Sequence, residues 1–244
     1  MDRVLSYIQE RYQGSWEHVL DAGSGESSLG WLCQSPAQRW TAVTAEATRA
    51  HGLRQRWGKR FRPQDRLLVA NWKDPELLAG ECFDLVLADY LLGSCERVVP
   101  YFQSQLLERI CERCRGWLFV VGLEPRAPEH PWMKELIALR DAVLLLCGHR
   151  PHRELPQSWL EHHLQRLGRR PQWSERFENH YGPDFVEREI GAVESNLAGL
   201  SDRGLAQVLR RRCHQLRAQA HEWLQEDGAI SHSWDYVVAV SLVG

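Results

Sequence analysis

Asp21, Gly23 and Gly25 follow the apolar run His18-Val19-Leu20 at two-residue spacing, and Ser27 and Ser28 come directly after them. A carboxylate and two glycines in this order suit a ligand-binding corner. Glycines have no Cβ and let the backbone come close to a ligand, and a helix N-capped by Ser27 or Ser28 presents unpaired N–H groups with a positive dipole. About twenty residues further on, Glu46 ends a β-prone segment, where a carboxylate accepts hydrogen bonds from the two hydroxyls of a ribose. The corner and the acid together describe a nucleoside-bearing ligand. A dinucleotide fingerprint would need Gly-x-Gly-x-x-Gly, and its third glycine falls on Ser28, so that pattern is broken. Other polar groups at the ends of apolar runs are Asp89, Tyr90, Glu124, His180 and Tyr181. These are the candidates for moving a proton at a bound substrate.

The elements that must position these residues are legible as short apolar runs. The run before Asp21 reads as a buried parallel strand, and Trp40 to Ala45 as a second. Arg66 to Ala70 stops at Asn71-Trp72-Lys73-Asp74-Pro75, and Phe83 to Ala88, Trp117 to Val121 and Trp173 to Tyr181 follow. Ser233 to Val243 alternates and is rich in valine, as a last strand should be. Helical spacing links Val4, Leu5, Ile8 and Tyr12 ahead of Gly14. Pro100 opens a predicted helix through Cys114 with Phe102, Leu106, Ile110 and Cys114 on its inner face. After the proline-rich stretch Ala127 to Pro131, helices are expected over Trp132 to Cys147, Gln157 to Leu167 and Phe185 to Leu197, then from Ser201 to Asp227-Gly228.

The corner resembles motif I of the class I S-adenosylmethionine-dependent methyltransferases, Asp-x-Gly-x-Gly-x-x-x-x-Gly, matched by Asp21, Gly23, Gly25 and Gly30. Phe-Asp-Leu-Val-Leu-Ala-Asp-Tyr, ending at Asp89 and Tyr90, resembles motif IV of the same family. The resemblance implies an α/β fold: a seven-stranded, mostly parallel sheet with helices on both faces and an antiparallel last strand between strands five and six. It implies one methyltransferase domain over 1–244, with a leading helix in 1–14 and helical insertions at 126–156 and 184–228 on the substrate side or in an oligomer contact. S-adenosyl-L-methionine is then the expected cofactor. Asp21, Gly23, Ser24 and Gly25 would hold its amino acid end, Glu46 its ribose, Asn71 and Trp72 the amino group and face of its adenine, and Asp89 and Tyr90 the region of the sulfonium. Tyr12 would pack in the core or touch the methionine carboxylate. Methyl transfer is an in-line displacement that needs alignment and, where the acceptor carries a proton, a base. Tyr90 and His180 are the candidates for that catalysis, His180 as a substrate-side base.

The sequence departs from the Asn/Asp-Pro-Pro-Tyr/Phe motif of amino-methyltransferases of nucleic acids, so a base substrate is not favoured. A formal charge of −2 and a near-neutral pI add no pull toward nucleic acid or an anionic membrane. A small molecule is the expected substrate. A protein or RNA substrate is the alternative, and a non-catalytic binding module of the same fold is the alternative of another class. A homodimer is a further expectation. The basic cluster Arg210, Arg211, Arg212 and Arg217 reads as a solvated helix face. Seven scattered cysteines imply no disulfide framework, and Cys111 and Cys114 read as a packed helix face rather than a metal or redox pair. The histidines His130, His149, His152, His162 and His163 have no carboxylate at ligand spacing, and no metal is expected. No apolar run is long enough to span a membrane, and no signal-peptide core precedes the first helix, for which a cytoplasmic protein is expected.

Overall fold

The computed structural model describes residues 2–125 and 130–241. Seven strands are formed: β1 (His18–Asp21), β2 (Arg39–Thr44), β3 (Arg66–Val69), β4 (Phe83–Asp89), β5 (Cys114–Leu123), β6 (Pro171–Tyr181) and β7 (Ile230–Ser241). They make one sheet in the order β3-β2-β1-β4-β5-β7-β6, with β3, β2, β1, β4 and β5 parallel and β7 antiparallel to β5. The antiparallel last strand thus lies between β5 and β6, as expected. Its predicted end at Val243 lies outside the described residues.

Alternation of side chains across the strands gives the sheet two apolar faces. Leu20, Val43, Val86, Leu118 and Val238 point to one face, and Val19, Ala42, Leu85, Phe119 and Val237 to the other. The first face is covered by α4 (Leu91–Val98), α5 (Gln103–Arg113) and α7 (Gln157–Arg166), through Leu92, Leu106, Ile110, Leu160 and Leu164. The second is covered by α1 (Arg3–Arg11), α2 (Glu26–Leu32) and α3 (Ala47–Trp57), through Leu5, Ile8, Leu29 and Leu53. Tyr12 is a core residue of this second face: its ring meets Phe119 edge-on, and its hydroxyl donates to the Ser15 carbonyl at 2.6 Å. Burial on both faces explains why the central strands are continuous apolar runs rather than alternating ones.

The helix expected from Pro100 to Cys114 is two elements and a turn. Tyr101 sits in the left-handed region at φ 63°, and the buried carboxylate of Glu96 accepts from its N–H at 3.0 Å and from Gln103 Nε2 at 3.0 Å. Proline followed by a left-handed residue cannot continue a helix, so α5 begins only at Gln103. The preceding α4 runs through Gly93 and Ser94. Cys114 opens β5 instead of closing a helix, and both thiols of the Cys111 and Cys114 pair are buried, which pushes each up to about 12.

Where a single domain is expected, contacts divide the chain into two compact units: 1–124, 153–177 and 235–244 in one, 125–152 and 178–234 in the other. The second is assembled from the segments expected as insertions. Its core joins Trp132, Leu136 and Val143 of α6 (Pro131–Leu146), Val186 and Ile190 of α8 (Pro183–Leu197), and Cys213 and Leu216 of α9 (Arg203–Asp227). The indole of Trp132 donates to the Leu216 carbonyl at 2.6 Å. In the basic cluster, Arg217 pairs with Glu187 at 3.0 Å and Glu194 at 2.9 Å, and Arg212 pairs with Glu135, while Arg210 and Arg211 are exposed. The proline-rich stretch expected over Ala127 to Pro131 lies mostly outside the described residues.

Between β4 and β5 the partners run Phe83 to Cys114 and then Leu85 to Trp117, so β5 carries one extra residue, a bulge. Gly116 lies in it, and a Cβ there would overlap the Asp84 carbonyl oxygen. Gly116→Ala should therefore destabilise the protein by about 1–3 kcal/mol, the usual range for overpacking, read as a lower midpoint in urea. An unchanged midpoint would show that the bulge tolerates a Cβ.

Candidate functional site

In an open parallel sheet a ligand binds beyond the carboxyl ends of the strands where the strand order reverses. Here that point lies between β1 and β4, with Asp21 paired to Ala42 on one side and Leu87 on the other. Asp21 has no exposed surface. Its carboxylate accepts from Ser24 Oγ at 2.6 Å and from the Gly23 N–H at 3.4 Å. The same loop donates from Ala22 N to the Leu87 carbonyl (2.8 Å) and from Ser24 N to the Val43 carbonyl (2.7 Å), which fixes it to both neighbouring strands. The chain consequently reaches its helical direction early. The cap of α2 is Gly25 rather than Ser27 or Ser28, and Ser28 Oγ instead accepts from the Gly25 N–H at 3.1 Å. A Cβ on Gly25 would meet nothing within 4 Å, so that side of the loop is open. Gly23 is covered by Leu91, the first residue of α4, and Gly30 by the ring of Trp57.

The tips of β2 and β3 continue the site on one side. Glu46 stands at the start of α3 without capping it, its partly exposed carboxylate 3.3 Å from Arg97 and 3.7 Å from Arg49. Asn71 Oδ1 accepts from the Lys73 N–H at 2.9 Å, forming an Asx turn after β3. Trp72 donates from its indole to the Ala22 carbonyl at 2.7 Å and is only 7% exposed, so it ties the loop after β3 to the end of β1 as part of the core.

On the other side the β4 tip delivers Asp89 and Tyr90. Tyr90 adopts the left-handed conformation at φ 47° at the start of α4, and its N–H donates to the Val121 carbonyl at 3.1 Å. Its side chain is buried within the electrostatic influence of Asp235 of β7, and Asp235 accepts from Arg3 Nη2 at 3.1 Å. Asp2 caps α1 by accepting from the Val4 N–H at 2.8 Å. Asp2, Asp21 and Asp235 all act on Asp89, and Arg3 is held by Asp235. Burial pushes Asp21 up to about 6 against the pull of its hydrogen bonds. Burial first, then repulsion from Asp21, Asp2 and Asp235, pushes Asp89 up to about 8. The Tyr90 phenol is also raised, by burial and then by Asp235. Arg3 and Asp235 are site residues that the sequence reading missed, because their proximity to Asp89 follows only from strand order.

His180 belongs to the second unit, where its side chain is 59% exposed and its Nε2 lies 3.7 Å from Glu178 Oε2. Among the described residues no group of three His, Cys, Asp or Glu is placed to hold a metal ion, and no helix is long and apolar enough to cross a membrane.

No family model matches the sequence, and neither does any curated protein. Solved structures do match in shape. A cyclopropane synthase from Mycobacterium tuberculosis superposes over 98% of this chain and 82% of its own, with a TM-score of 0.58 and 14% identity. A SAM-dependent methyltransferase from Thiobacillus denitrificans, in complex with S-adenosyl-L-homocysteine, covers 98% of this chain and 91% of its own (TM-score 0.54, 14% identity). The chain has the class I methyltransferase fold. The cyclase SpnF has this methyltransferase fold as well, matching 98% of this chain and 79% of its own (TM-score 0.59, 13% identity), so the fold by itself does not fix the reaction.

The raised carboxyls make a test of the site's electrostatics. A carboxyl whose folded value lies above its unfolded 3.8 favours the fold at low pH, and that contribution is lost as pH rises through about 6 for Asp21 and about 8 for Asp89. Asp89→Asn removes the upper part of this loss. Its stability relative to the unaltered protein should increase steadily between pH 5 and about 8, measured from urea midpoints across that range. A difference independent of pH would mean that Asp89 is not held in this environment.

Proposed function

We propose that this chain transfers a methyl group from S-adenosyl-L-methionine to a small-molecule acceptor. The observation that carries the reading is the pair of devices on adjacent strand tips at the point of strand reversal. The Asp21-organised glycine loop is open at Gly25, and the carboxylate of Glu46 at the next tip is partly exposed. Both fit the donor: the open glycine leaves room for a close-lying chain, and the acid is the acceptor that two ribose hydroxyls require. Asn71 lies one strand further along, where an amide can meet an adenine amino group. Asp89 and Tyr90, at the β4 tip across the reversal, border the reacting centre.

When bound, the donor supplies an electrophilic methyl group on a sulfonium. The chain's own part is to align an acceptor, exclude water and manage the acceptor's proton. Tyr90 would align an acceptor rather than remove its proton, since burial and then Asp235 raise its phenol. A small acceptor accords with the near-neutral charge of the chain, which offers no general attraction to nucleic acid.

Calorimetric titration with S-adenosyl-L-methionine and with S-adenosyl-L-homocysteine tests the reading. Both should bind; Glu46→Ala should weaken binding by about tenfold or more through the loss of a hydrogen bond to a charged group, and Asp21→Ala by about as much through release of the glycine loop it organises. Absence of binding to the unaltered protein would make the fold a module without this chemistry, and unchanged affinity in both variants would move the donor away from this corner.

A further inference from the structure

The sheet order separates two kinds of acid. Glu46 and Asn71 lie beyond β2 and β3, on one side of β1, whereas Asp89 and Asp235 lie on β4 and β7, on the other. If the nucleoside lies along the first side, as the methyl-transfer reading requires, the second side faces the acceptor. Three carboxylates of the group around Asp89 are engaged: Asp21 by Ser24 and Gly23, Asp235 by Arg3, and Asp2 by the first turn of α1. Among the described residues the Asp89 carboxylate has no hydrogen bond or ion pair. It is largely enclosed by protein and yet keeps some accessible surface at the carboxyl end of β4.

We propose that the methyl acceptor is an amine, bound as an ammonium ion at the carboxylate of Asp89 and deprotonated there before transfer; the proposal rests on the methyl-transfer reading above. An unpaired carboxylate in a water-poor site is stabilised by a cation that also donates hydrogen bonds, and an ammonium does both. An alcohol or thiol leaves the negative charge uncompensated. The surrounding groups favour proton acceptance, since Asp21, Asp2 and Asp235 repel a charged Asp89 and Arg3 is engaged with Asp235. The ammonium gives one proton to the carboxylate, which becomes the neutral acid, and the nitrogen recovers its lone pair. That lone pair forms the new bond to the methyl carbon while the carbon–sulfur bond breaks with its electrons remaining on sulfur. The products are an N-methylated ammonium and a neutral thioether, and the Asp89 proton returns to water as they leave.

The test incubates the full chain with a metabolite extract and methyl-labelled S-adenosyl-L-methionine, and locates the label by mass spectrometry. The expected product carries the label on nitrogen. Its formation should fall about a hundredfold or more in Asp89→Asn, the scale of losing a general base, and recover in part in Asp89→Glu. Calorimetry should meanwhile find the Asp89→Asn affinities for S-adenosyl-L-methionine and S-adenosyl-L-homocysteine within about twofold of the unaltered protein, as for a site not shared with the donor. A label on oxygen or sulfur, no labelled product from a protein that binds the donor, or undiminished N-methylation in Asp89→Asn would each overturn the proposal. So would a selective loss of S-adenosyl-L-methionine affinity, which would assign Asp89 to the donor's positive sulfur. Failure of the unaltered protein to bind either compound would instead remove the methyl-transfer reading itself.

Discussion

Asp21 is a carboxylate with no exposed surface, and the loop after it is shaped by the requirement to satisfy it. A buried charge without partners is far too costly to keep, so the chain must turn back within three residues to bring the Ser24 hydroxyl and the Gly23 N–H to it. That turn brings Ala22 and Ser24 within reach of the carbonyls of β4 and β2, and the loop becomes the clasp between the two strands that flank the reversal of strand order. Gly25 is left at the outer side of the clasp with open space beside it. The binding corner is therefore a by-product of satisfying one acid, and its open side is where a Cβ would meet no protein atom.

The same clasp fixes the neighbouring tips. Trp72 donates to the Ala22 carbonyl, so the loop after β3 is registered against the end of β1 through a buried hydrogen bond rather than through strand pairing. Above the loop, α4 is confined from two directions. Leu91 fills the space that a Cβ of Gly23 would need, and Glu154 fills that of Gly93, whose carbonyl accepts from the Arg153 N–H at 3.0 Å. A helix held this closely forces its first turn, and Tyr90 takes up the left-handed conformation where strand passes directly into helix. Arg97 near the other end of α4 then reaches Glu46. One short helix thus touches the structure around both the glycine loop and Glu46.

How much of this was legible in the sequence depends on the range of the interaction. Central strands are apolar on both faces, and that requirement is written in consecutive residues such as Val19-Leu20 and Leu85-Val86-Leu87, so their positions and the class of fold were accessible. The acid and glycine spacing at the first loop was equally local. The beginnings of helices were not. Which residue caps α2 depends on how the loop bonds to β2 and β4, and the division of α4 from α5 depends on the Glu96 carboxylate folding back on Tyr101. The gathering of Arg3 and Asp235 at the β4 tip has no local signal at all, because 232 positions separate those two residues and only the antiparallel insertion of β7 beside β5 brings them together. Trp72 shows the same limit from another direction. Its position after the third strand was evident, but its burial follows from a hydrogen bond to a residue 50 positions earlier.

The placement of Asp89 is harder to account for by stability. A hydrophobic or amide side chain at this position would avoid both the burial of an ionisable group and repulsion from three acids. The neighbours that raise Asp89 are themselves explained: Asp21 shapes the loop, Asp2 starts a helix, and Asp235 joins α1 to β7 through Arg3. Asp89 organises none of these. A group that costs stability and builds nothing is what a site under functional demand contains, because strain and unfavourable electrostatics are retained where chemistry uses them. Its position at the carboxyl end of β4, beside the reversal point and opposite the nucleoside-type acid, makes the demand one on whatever is bound across the sheet edge.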